Sequence, residues 1–477
     1  MTEPVDDGSG TPPRHAPDAA PAPDAGLVSR VRTAILGLPR LDVREQGRLV
    51  VHLVRWVALG GVIGVLAGVS SWALLKTLEW ATQTRLDNPW LLFLLPVAGG
   101  VVGFGYFRLA GRSIAGNNLL LDEIHTPTEW IPRRMAFLIY GATVVTQLFG
   151  GSAGREGTAL QMSGSLTDWF SDLIGLDDRD RRVMLIAALS GGFGAMFGVP
   201  LAGCVFGLEV QSVGRVRYEA LVPAMAASIV GDQVVRALGG THEHIAPLTP
   251  NVDAALILKV IVAGVAFSLA GALFIELTHA ISTVMGAAIK WPPARPVLGG
   301  LVIIAMALLF GRQYLGLSLP LASDALAGHD VGFEVFLLKL LFTSVTLGTG
   351  FQGGEVTPLF AIGATLGAAL AHVLGVPVEV LAAVGYVAVF AGAANTPLAC
   401  TIMGVELFGA GMIVPVAVGC VVSYVLSAHR SIYGSQRIGV PKGMTEIDDD
   451  VTIRQHRSRR PKDHEIGDGT DPDPAGH

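Results

Sequence analysis

Gly150-Gly-Ser-Ala-Gly-Arg-Glu-Gly-Thr158 lies between two apolar runs of the chain and carries two charged residues, Arg155 and Glu156, among small ones. A helical pattern of apolar residues follows it. A glycine-rich helix start exposes backbone N–H groups at the positive end of the helix dipole, where an anion, or a carboxylate in its place, can bind. Charged residues within membrane segments are costly and usually functional. The alternatives are a buried Arg155–Glu156 ion pair and a short exposed loop.

The composition around this stretch is that of a membrane protein. Of the 477 residues, 51% are hydrophobic and only 15% are charged, and the mean hydropathy is +0.54. Soluble domains carry about 25% charged residues, so the sequence predicts an all-α polytopic membrane protein. The net charge of −6 does not indicate a nucleic-acid partner, and the three cysteines have no metal-ligand spacing. No metal and no cofactor is expected.

The apolar runs differ in length. Those at 51–80 and 253–288 are long enough for strongly tilted membrane spans. Several others are shorter than the ~20 residues that a span needs, and many contain glycine. Short, glycine-interrupted apolar segments are typical of broken helices that meet at a site near the centre of the membrane.

The chain contains an internal repeat. Gly154–Leu160 matches Gly353–Leu359 at an offset of 199, and Pro200–Glu209 matches Pro397–Glu406 at an offset of 197. Two matches at nearly one offset indicate duplicated architecture, although shared packing of small residues is an alternative. If each half crosses the membrane an odd number of times, the two halves run in opposite directions and their broken helices meet at a common site.

The repeat and the flanking composition divide the chain into four parts. Residues 1–48 are expected to form a disordered and then amphipathic segment, 49–238 the first membrane repeat, 239–433 the second, and 434–477 a polar tail without a regulatory domain. Clusters of basic residues flank the membrane region at both ends, so both termini are expected to be cytoplasmic by the positive-inside rule. They are Arg30, Arg32, Arg40, Arg44 and Arg48 before it and Arg454, Arg457, Arg459, Arg460 and Lys462 after it.

With these motifs in order, the chain resembles the CLC family of anion channels and transporters. The family's Gly-Arg-Glu-Gly-Pro signature is similar to Gly154–Thr158, and its Gly-x-Phe-x-Pro signature to Gly354–Pro358. The family's pore-lining tyrosine matches Tyr433. The resemblance covers roughly residues 50–440. It implies the CLC fold, an inverted repeat of two halves around a central anion site.

Four departures resemble the fluoride-exporting branch of that family. The first signature, Gly-Ser-Gly-Ile-Pro, is replaced by Ala115–Leu119, and Thr158 replaces a proline. The third signature carries Glu355 and Thr357, and Val210 stands where chloride/proton antiporters carry an internal glutamate. The resemblance therefore implies exchange of fluoride for protons across a cell inner membrane, by a multi-pass homodimer with one pathway in each subunit.

The residues support this implication on physical grounds. Fluoride is small and strongly hydrated, so its dehydration needs many hydrogen-bond donors. Gly116, Asn117 and Asn118 could supply backbone N–H groups and side-chain amides at a helix start, although asparagine is also a common N-cap. The predicted anion-binding residues are Gly116, Asn117, Asn118, Arg155, Gly157, Thr158, Thr357 and Tyr433.

Two glutamates are the proton candidates. Deprotonated Glu156 would compete with the anion for the helix-end site, and protonated Glu156 could move aside and admit it, so it is predicted to be gate and proton carrier. Glu355 is the second candidate; its alternative role is to stabilise the helix that follows it. Thr357 could bind the anion or Glu156, and Tyr433 could donate its hydroxyl to the anion or merely lie at the membrane interface.

Two other functions are considered. One is a chloride-conducting CLC protein, which the altered first signature and Val210 disfavour. The other is an intramembrane enzyme, which lacks support because no Gly-x-Ser-x-Gly or His-Glu-x-x-His pattern is present. The Thr241–His244 segment is expected to be a solvated loop, and Glu209 and Glu406 are expected to pair with backbone or with arginine.

Overall fold

The computed structural model of the chain describes residues 43–459, except 243–244, 444–446 and 448–449. The expectations for residues 1–42 and 460–477 lie outside the described residues. Within them the chain is helical, and the prediction of an all-α protein is confirmed.

The helices fall into two successive sets of eight in the described part of the chain. The first set is α1 (Val43–Asp87), α2 (Leu95–Leu109), α3 (Asn117–His125), α4 (Arg134–Leu148), α5 (Glu156–Leu173), α6 (Asp178–Phe197), α7 (Pro200–Glu209) and α8 (Leu221–Ala237). The second is α9 (Ala254–Ala288), α10 (Ala294–Phe310), α11 (Leu319–Leu326), α12 (Glu334–Gly348), α13 (Val356–Leu374), α14 (Val378–Ala394), α15 (Pro397–Phe408) and α16 (Ile413–Leu426). Short 3-10 helices are Pro89–Leu94, Gly111–Ala115, Tyr218–Ala220 and Ala410–Met412.

The repeat predicted from two motifs extends over both sets. The first residues of α4, α5 and α6 lie 200 positions before those of α12, α13 and α14. The turns before α5 and α13 also correspond, because each contains a glycine of positive φ, +93° at Gly150 and +101° at Gly350. Only glycine adopts such φ values without strain. Residues that correspond in the folded structure therefore differ by 200 in residue number here, one more than the motif match gives.

Hydrogen bonds join the halves at several places. Gly154 and Gly354 form an antiparallel bridge, with N–H to O=C distances of 2.6 and 2.9 Å. Further along the chain, a glutamate near the end of α7 and another near the end of α15 each accept hydrogen bonds from the other half. Glu209 accepts the N–H groups of Leu398 and Ala399 at the start of α15, at 3.0 and 2.8 Å.

Glu406 accepts the corresponding N–H groups of Leu201 and Ala202 at the start of α7, at 2.9 and 2.8 Å. Each half thus caps a helix of the other half. Of the two expected pairings, backbone or arginine, these glutamates use the backbone.

Five helical segments of the described chain are long and apolar enough to cross a membrane. They are Arg44–Asp87, Pro89–Leu109, Tyr218–Ala237, Ala254–Ala288 and Val356–Leu374. Other apolar helices, α7, α10, α14, α15 and a segment ending with α16, are shorter, as the broken apolar runs predict. The core between α6, α7 and α14 contains stacked aromatic rings, with 4.1 Å between the centroids of Phe193 and Phe206.

The chain after α16 folds back onto the helices. Strand β2 (Arg437–Ile438) pairs in parallel with β1 (Ser212–Val213), and a short helix, α17 (Ile453–Arg459), follows. Gln436 is buried and donates to the carbonyls of Val210 and Ala394. The beginning of the segment expected to be a polar tail is therefore part of the packed structure.

Candidate anion and proton site

The segment before α5 is fixed by a buried cation and by hydroxyl groups of α12. The N–H of Ser152 donates to the hydroxyl of Thr346 at 3.0 Å. Lys339 is fully buried, and its ammonium group donates to the hydroxyls of Ser152 and Ser318 at 2.9 and 2.8 Å. It also donates to the carbonyl of Gly316 at 2.9 Å. A segment held in this way presents the start of α5 in one position.

Glu156 is the first residue of α5, and its carboxylate reaches across to the other half. Its Oε2 accepts the N–H of Thr357 at 3.0 Å and the N–H of Arg155 at 3.1 Å, and its Oε1 accepts the hydroxyl of Thr357. The side chain of Glu156 is buried. Its carboxylate therefore lies at the positive ends of two helices, α5 and α13, where an anion would be stabilised.

The start of α5 packs directly against the backbone of Gly354. The position that a Cβ atom of Gly354 would take lies 2.9, 3.0 and 3.1 Å from the backbone nitrogens of Gly157, Glu156 and Arg155. Any residue other than glycine at position 354 would push the start of α5 away. The glycine therefore lets the two halves approach each other closely at Glu156.

Asn117 lies beside Gly157 at the start of α5. Its Nδ2 is 3.0 Å from the position that a Cβ atom of Gly157 would take. Asn117 and Tyr433 also line a small cavity of about 10 Å³ that is otherwise apolar. The Oδ1 of Asn117 and the hydroxyl of Tyr433 are buried and have no hydrogen-bond partner among the described residues. Unpartnered buried polar atoms are costly, so they mark a place where a ligand or water completes the site.

Other predicted anion ligands are engaged elsewhere. The Oδ1 of Asn118 accepts the N–H of Ser435 at 2.8 Å, two residues after Tyr433. The hydroxyl of Thr158 is 2.7 Å from that of Thr143 on α4. Gly116, with a φ of +59°, forms the turn into α3. These residues surround the site, but the two side chains are occupied by protein groups.

Glu355 does not correspond to Glu156 in the folded structure. It is the N-cap residue of α13, whereas Glu156 is the first residue of α5, so Arg155 is its counterpart at the offset of 200. Its side chain makes no capping hydrogen bond. Glu355 is only partly buried. Its position at the start of α13 is compatible with the alternative role, in which the carboxylate stabilises the helix dipole.

A wide cavity leads to the site from one side. It measures about 530 Å³, and Arg85, Arg155 and Arg312 line it. The Nε atoms of Arg85 and Arg155 are buried without hydrogen-bond partners in the described structure. The Nε of Arg155 is 3.5 Å from Oε1 of Glu156, in ion-pair range. A cavity with this charge attracts anions towards Glu156.

Sequence reasoning missed Lys339, Arg85 and His242. Lys339 had a signal, since it is the one lysine in the apolar run 334–349. Arg85 lies in the polar last turn of α1 and His242 in a polar connection, and neither stretch carries a local signal. His242 was expected in a solvated loop, but its side chain is only 11% exposed. In the described residues no group of three or more His, Cys, Asp and Glu is placed to hold a metal ion.

Comparisons with known proteins show the family of the chain. The family model of voltage-gated chloride channels matches residues 98–428. A protein of Pseudomonas syringae pv. tomato named chloride/fluoride channel protein is 44% identical over 418 residues, which cover 86% of this chain and 92% of that protein. The H(+)/Cl(−) exchange transporter ClcA of Vibrio vulnificus is 26% identical over 395 residues, covering 73% and 81%.

Solved structures of CLC-type antiporters are also similar to this chain. The crystal structure of a CLC-type fluoride/proton antiporter has a TM-score of 0.78 and 32% sequence identity, and the match covers 80% of this chain and 98% of that one. A slow cyanobacterial Cl−/H+ antiporter has a TM-score of 0.66 at 20% identity, which concerns the fold alone.

Proposed function

Because the chain belongs to the CLC family of voltage-gated chloride channels, whose members are membrane ion transporters and channels and not enzymes, we propose that it is a fluoride/proton antiporter. In this proposal fluoride leaves the cell as protons enter. Glu156 is both the gate of the anion path and the proton carrier.

The position of the Glu156 carboxylate is the observation that carries the proposal. It takes the N–H groups of Arg155 and Thr357 and the hydroxyl of Thr357, which are donors that an anion would use. A protonated carboxyl group binds such donors less strongly than a carboxylate does. Protonation therefore releases the donors to an anion, so proton and anion alternate at one place.

The choice of fluoride rests on the donors and on the relatives. The N–H groups of Arg155 and Thr357 and the hydroxyl of Thr357 hold the Glu156 carboxylate, and Asn117 adds an amide beside Gly157. A strongly hydrated ion needs many donors to replace its water. A relative at 44% identity is named a chloride/fluoride channel protein, and a similar structure at 32% identity is that of a fluoride/proton antiporter.

The other residues take supporting roles in this proposal. Tyr433 donates its unpartnered hydroxyl to the anion beside Asn117, and Gly116, Gly157 and Thr158 shape the space around it. Asn118 acts through Ser435, whose N–H it accepts, and so positions the segment that carries Tyr433. Glu355, with no capping hydrogen bond to hold it, is the second proton carrier.

We also propose the setting of the protein. It lies in the cytoplasmic membrane of the cell as a homodimer with one pathway in each subunit. Both termini are cytoplasmic, which places the Arg155 cavity on the outer side because α1 runs outward. The boundaries at 49–238 and 239–433 divide the membrane region into its repeats.

Chloride transport is the second candidate. It is favoured by the name of the relative from Pseudomonas syringae, which includes both ions, and by the similarity to a H(+)/Cl(−) exchange transporter. The two candidates share the Glu156 gate and differ in which anion the donors around Glu156 and Asn117 accept.

Ion efflux from proteoliposomes distinguishes the candidates. Vesicles loaded with equal fluoride and chloride are monitored with both electrodes and an external pH probe. Fluoride efflux opposed by proton entry, with little chloride movement, is expected. Chloride efflux as fast as fluoride efflux would refute the fluoride proposal, and fluoride efflux without proton movement would refute antiport.

A further inference from the structure

His242 is held in a fixed position close to the site. It lies between α8 and α9, and its ring packs against Gly198, the residue that ends α6. A Cβ atom at Gly198 would clash with Cδ2 of His242, and Gly198 has a φ of +71°. Position 198 therefore accepts only glycine while the imidazole stays where it is.

A buried carboxylate lies beside the imidazole. The Nε2 atom of His242 is 3.5 Å from Oδ1 of Asp232, whose side chain is 2% exposed. Asp232 is in turn held by the Nε of Arg236, at 2.9 and 2.8 Å. The Nε2 atom itself is buried and has no hydrogen bond within the described structure. This arrangement stabilises an imidazolium ion but leaves the imidazole free to exchange its proton.

A small cavity extends from His242 to residues that contact the gate. It measures about 30 Å³, and His242, Arg155 and Thr357 line it together with mainly apolar side chains. A water molecule needs about 10–15 Å³ and at least two polar partners, so the cavity has room for a water. Thr357 is the residue whose N–H and hydroxyl hold the Glu156 carboxylate, and the N–H of Arg155 also donates to it. The cavity therefore brings the imidazole next to the two residues that hold the Glu156 carboxylate.

We infer that His242, assisted by Asp232, passes protons between solvent on the Arg155 side and Glu156. The imidazole takes a proton from solvent water and becomes an imidazolium, which Asp232 stabilises. It gives a proton to the water in the cavity, which gives one of its own to Glu156. His242 and the water are then restored, and Glu156 is neutral. This inference rests on the proposed antiport function and names a proton carrier for it.

The charges around His242 suit a relay. Burial lowers the pKa of His242; the carboxylate of Asp232 raises it, and the guanidinium groups of Arg236 and Arg155 lower it. With a pKa below its ordinary value, the imidazole is neutral near neutral pH and can accept a proton without retaining it.

The test measures proton and fluoride movement in proteoliposomes while the pH on each side is varied in turn. His242→Gln keeps a polar side chain but removes titration. We expect it to slow coupled fluoride and proton movement about tenfold or more, and to abolish the dependence of the rate on pH at the Arg155 side. His279→Gln is the matched control, because His279 bonds only within α9 through the carbonyl of Ile275, and should behave like the unaltered protein.

A second pair of variants separates proton delivery from damage to the fold. In a Glu156→Gln background fluoride moves without protons, so His242→Gln has no proton step to slow and its tenfold effect should vanish. External imidazole should also restore part of the rate of His242→Ala, because it can enter the space left by the ring.

Three results would contradict the reasoning in different ways. Fluoride efflux without proton movement in the unaltered protein would overturn the antiport function and the relay with it. Coupled transport in the unaltered protein, with the same rate and pH profile in His242→Gln, would overturn the relay alone. An equal slowing in the Glu156→Gln background would make His242 a structural residue and would also overturn the relay.

Discussion

Replacement of Glu156 by glutamine tests the competition between carboxylate and anion most directly. The carboxylate accepts three hydrogen bonds, two from Thr357 and one from the N–H of Arg155. A hydrogen bond to a charged group contributes about 1 kcal/mol more than one between neutral groups. Loss of the charge at three bonds therefore weakens the hold on these donors by about 3 kcal/mol, which is roughly a 100-fold change in equilibrium.

Two results are expected of Glu156→Gln. Fluoride should bind roughly 100-fold more tightly, because the neutral side chain competes less well for the donors. Fluoride flux should also continue without protons. Isothermal titration of the purified protein measures the first, and a pH probe outside proteoliposomes measures the second. Glu79→Gln, a change at an exposed carboxylate of the same large cavity, is the control.

Proton movement that persists in Glu156→Gln would refute the gate assignment. Unchanged fluoride affinity would refute the competition, even if proton coupling were lost. In that case the carboxylate and the anion would occupy separate places, and the hydrogen bonds to Thr357 would be structural.

Three further outcomes can be checked. Asn117→Ala should reduce the preference for fluoride over chloride about tenfold by removing an amide donor, whereas Asn118→Ala should affect both anions equally; electrode measurements with both ions decide this. Glu209→Ala and Glu406→Ala should each lower the free energy of unfolding by about 2–4 kcal/mol, because two helix-end N–H groups lose their acceptor. Thermal denaturation should show a similar decrease in stability for both variants. Unchanged stability in either variant would contradict the capping of each half by the other. Burial lowers the pKa of Lys442 from 10.5 to about 7. Between these pH values the unfolded chain binds one more proton than the folded chain, so the free energy of unfolding rises with pH across that window. The midpoint temperature of unfolding should therefore increase as the pH is raised from 7 to 10, and Lys442→Met should abolish the increase.

The sequence predicted the parts of this site that depend on local pattern. The glycine-rich start of α5, the position of Glu156 on it and the duplication follow from residues close together in the chain. The contact between Glu156 and Thr357 was one of two roles considered for Thr357, and the structure adopts it.

What could not be predicted depends on how the two halves meet in space. The motif match paired Glu355 with Glu156, but the bridge between Gly154 and Gly354 sets the offset at 200 and moves Glu355 opposite Arg155. The partners of Asn118 and Thr158 come from distant segments and from a neighbouring helix, so no local pattern reveals them. His242 is buried because α6 ends in a glycine beside it. The spacing of residues along the chain does not predict that contact.

The exchange of caps between α7 and α15 bears on how such a chain could have arisen. Each half carries one glutamate that accepts N–H groups from a helix start of the other half. Each half also carries one helix start whose N–H groups donate to the glutamate of the other half. Two copies of a single half, inserted in opposite directions, could satisfy each other in the same way. A dual-topology ancestor of half the length, later duplicated and fused, would therefore already have had both contacts, and fusion would have had only to supply the link between α8 and α9.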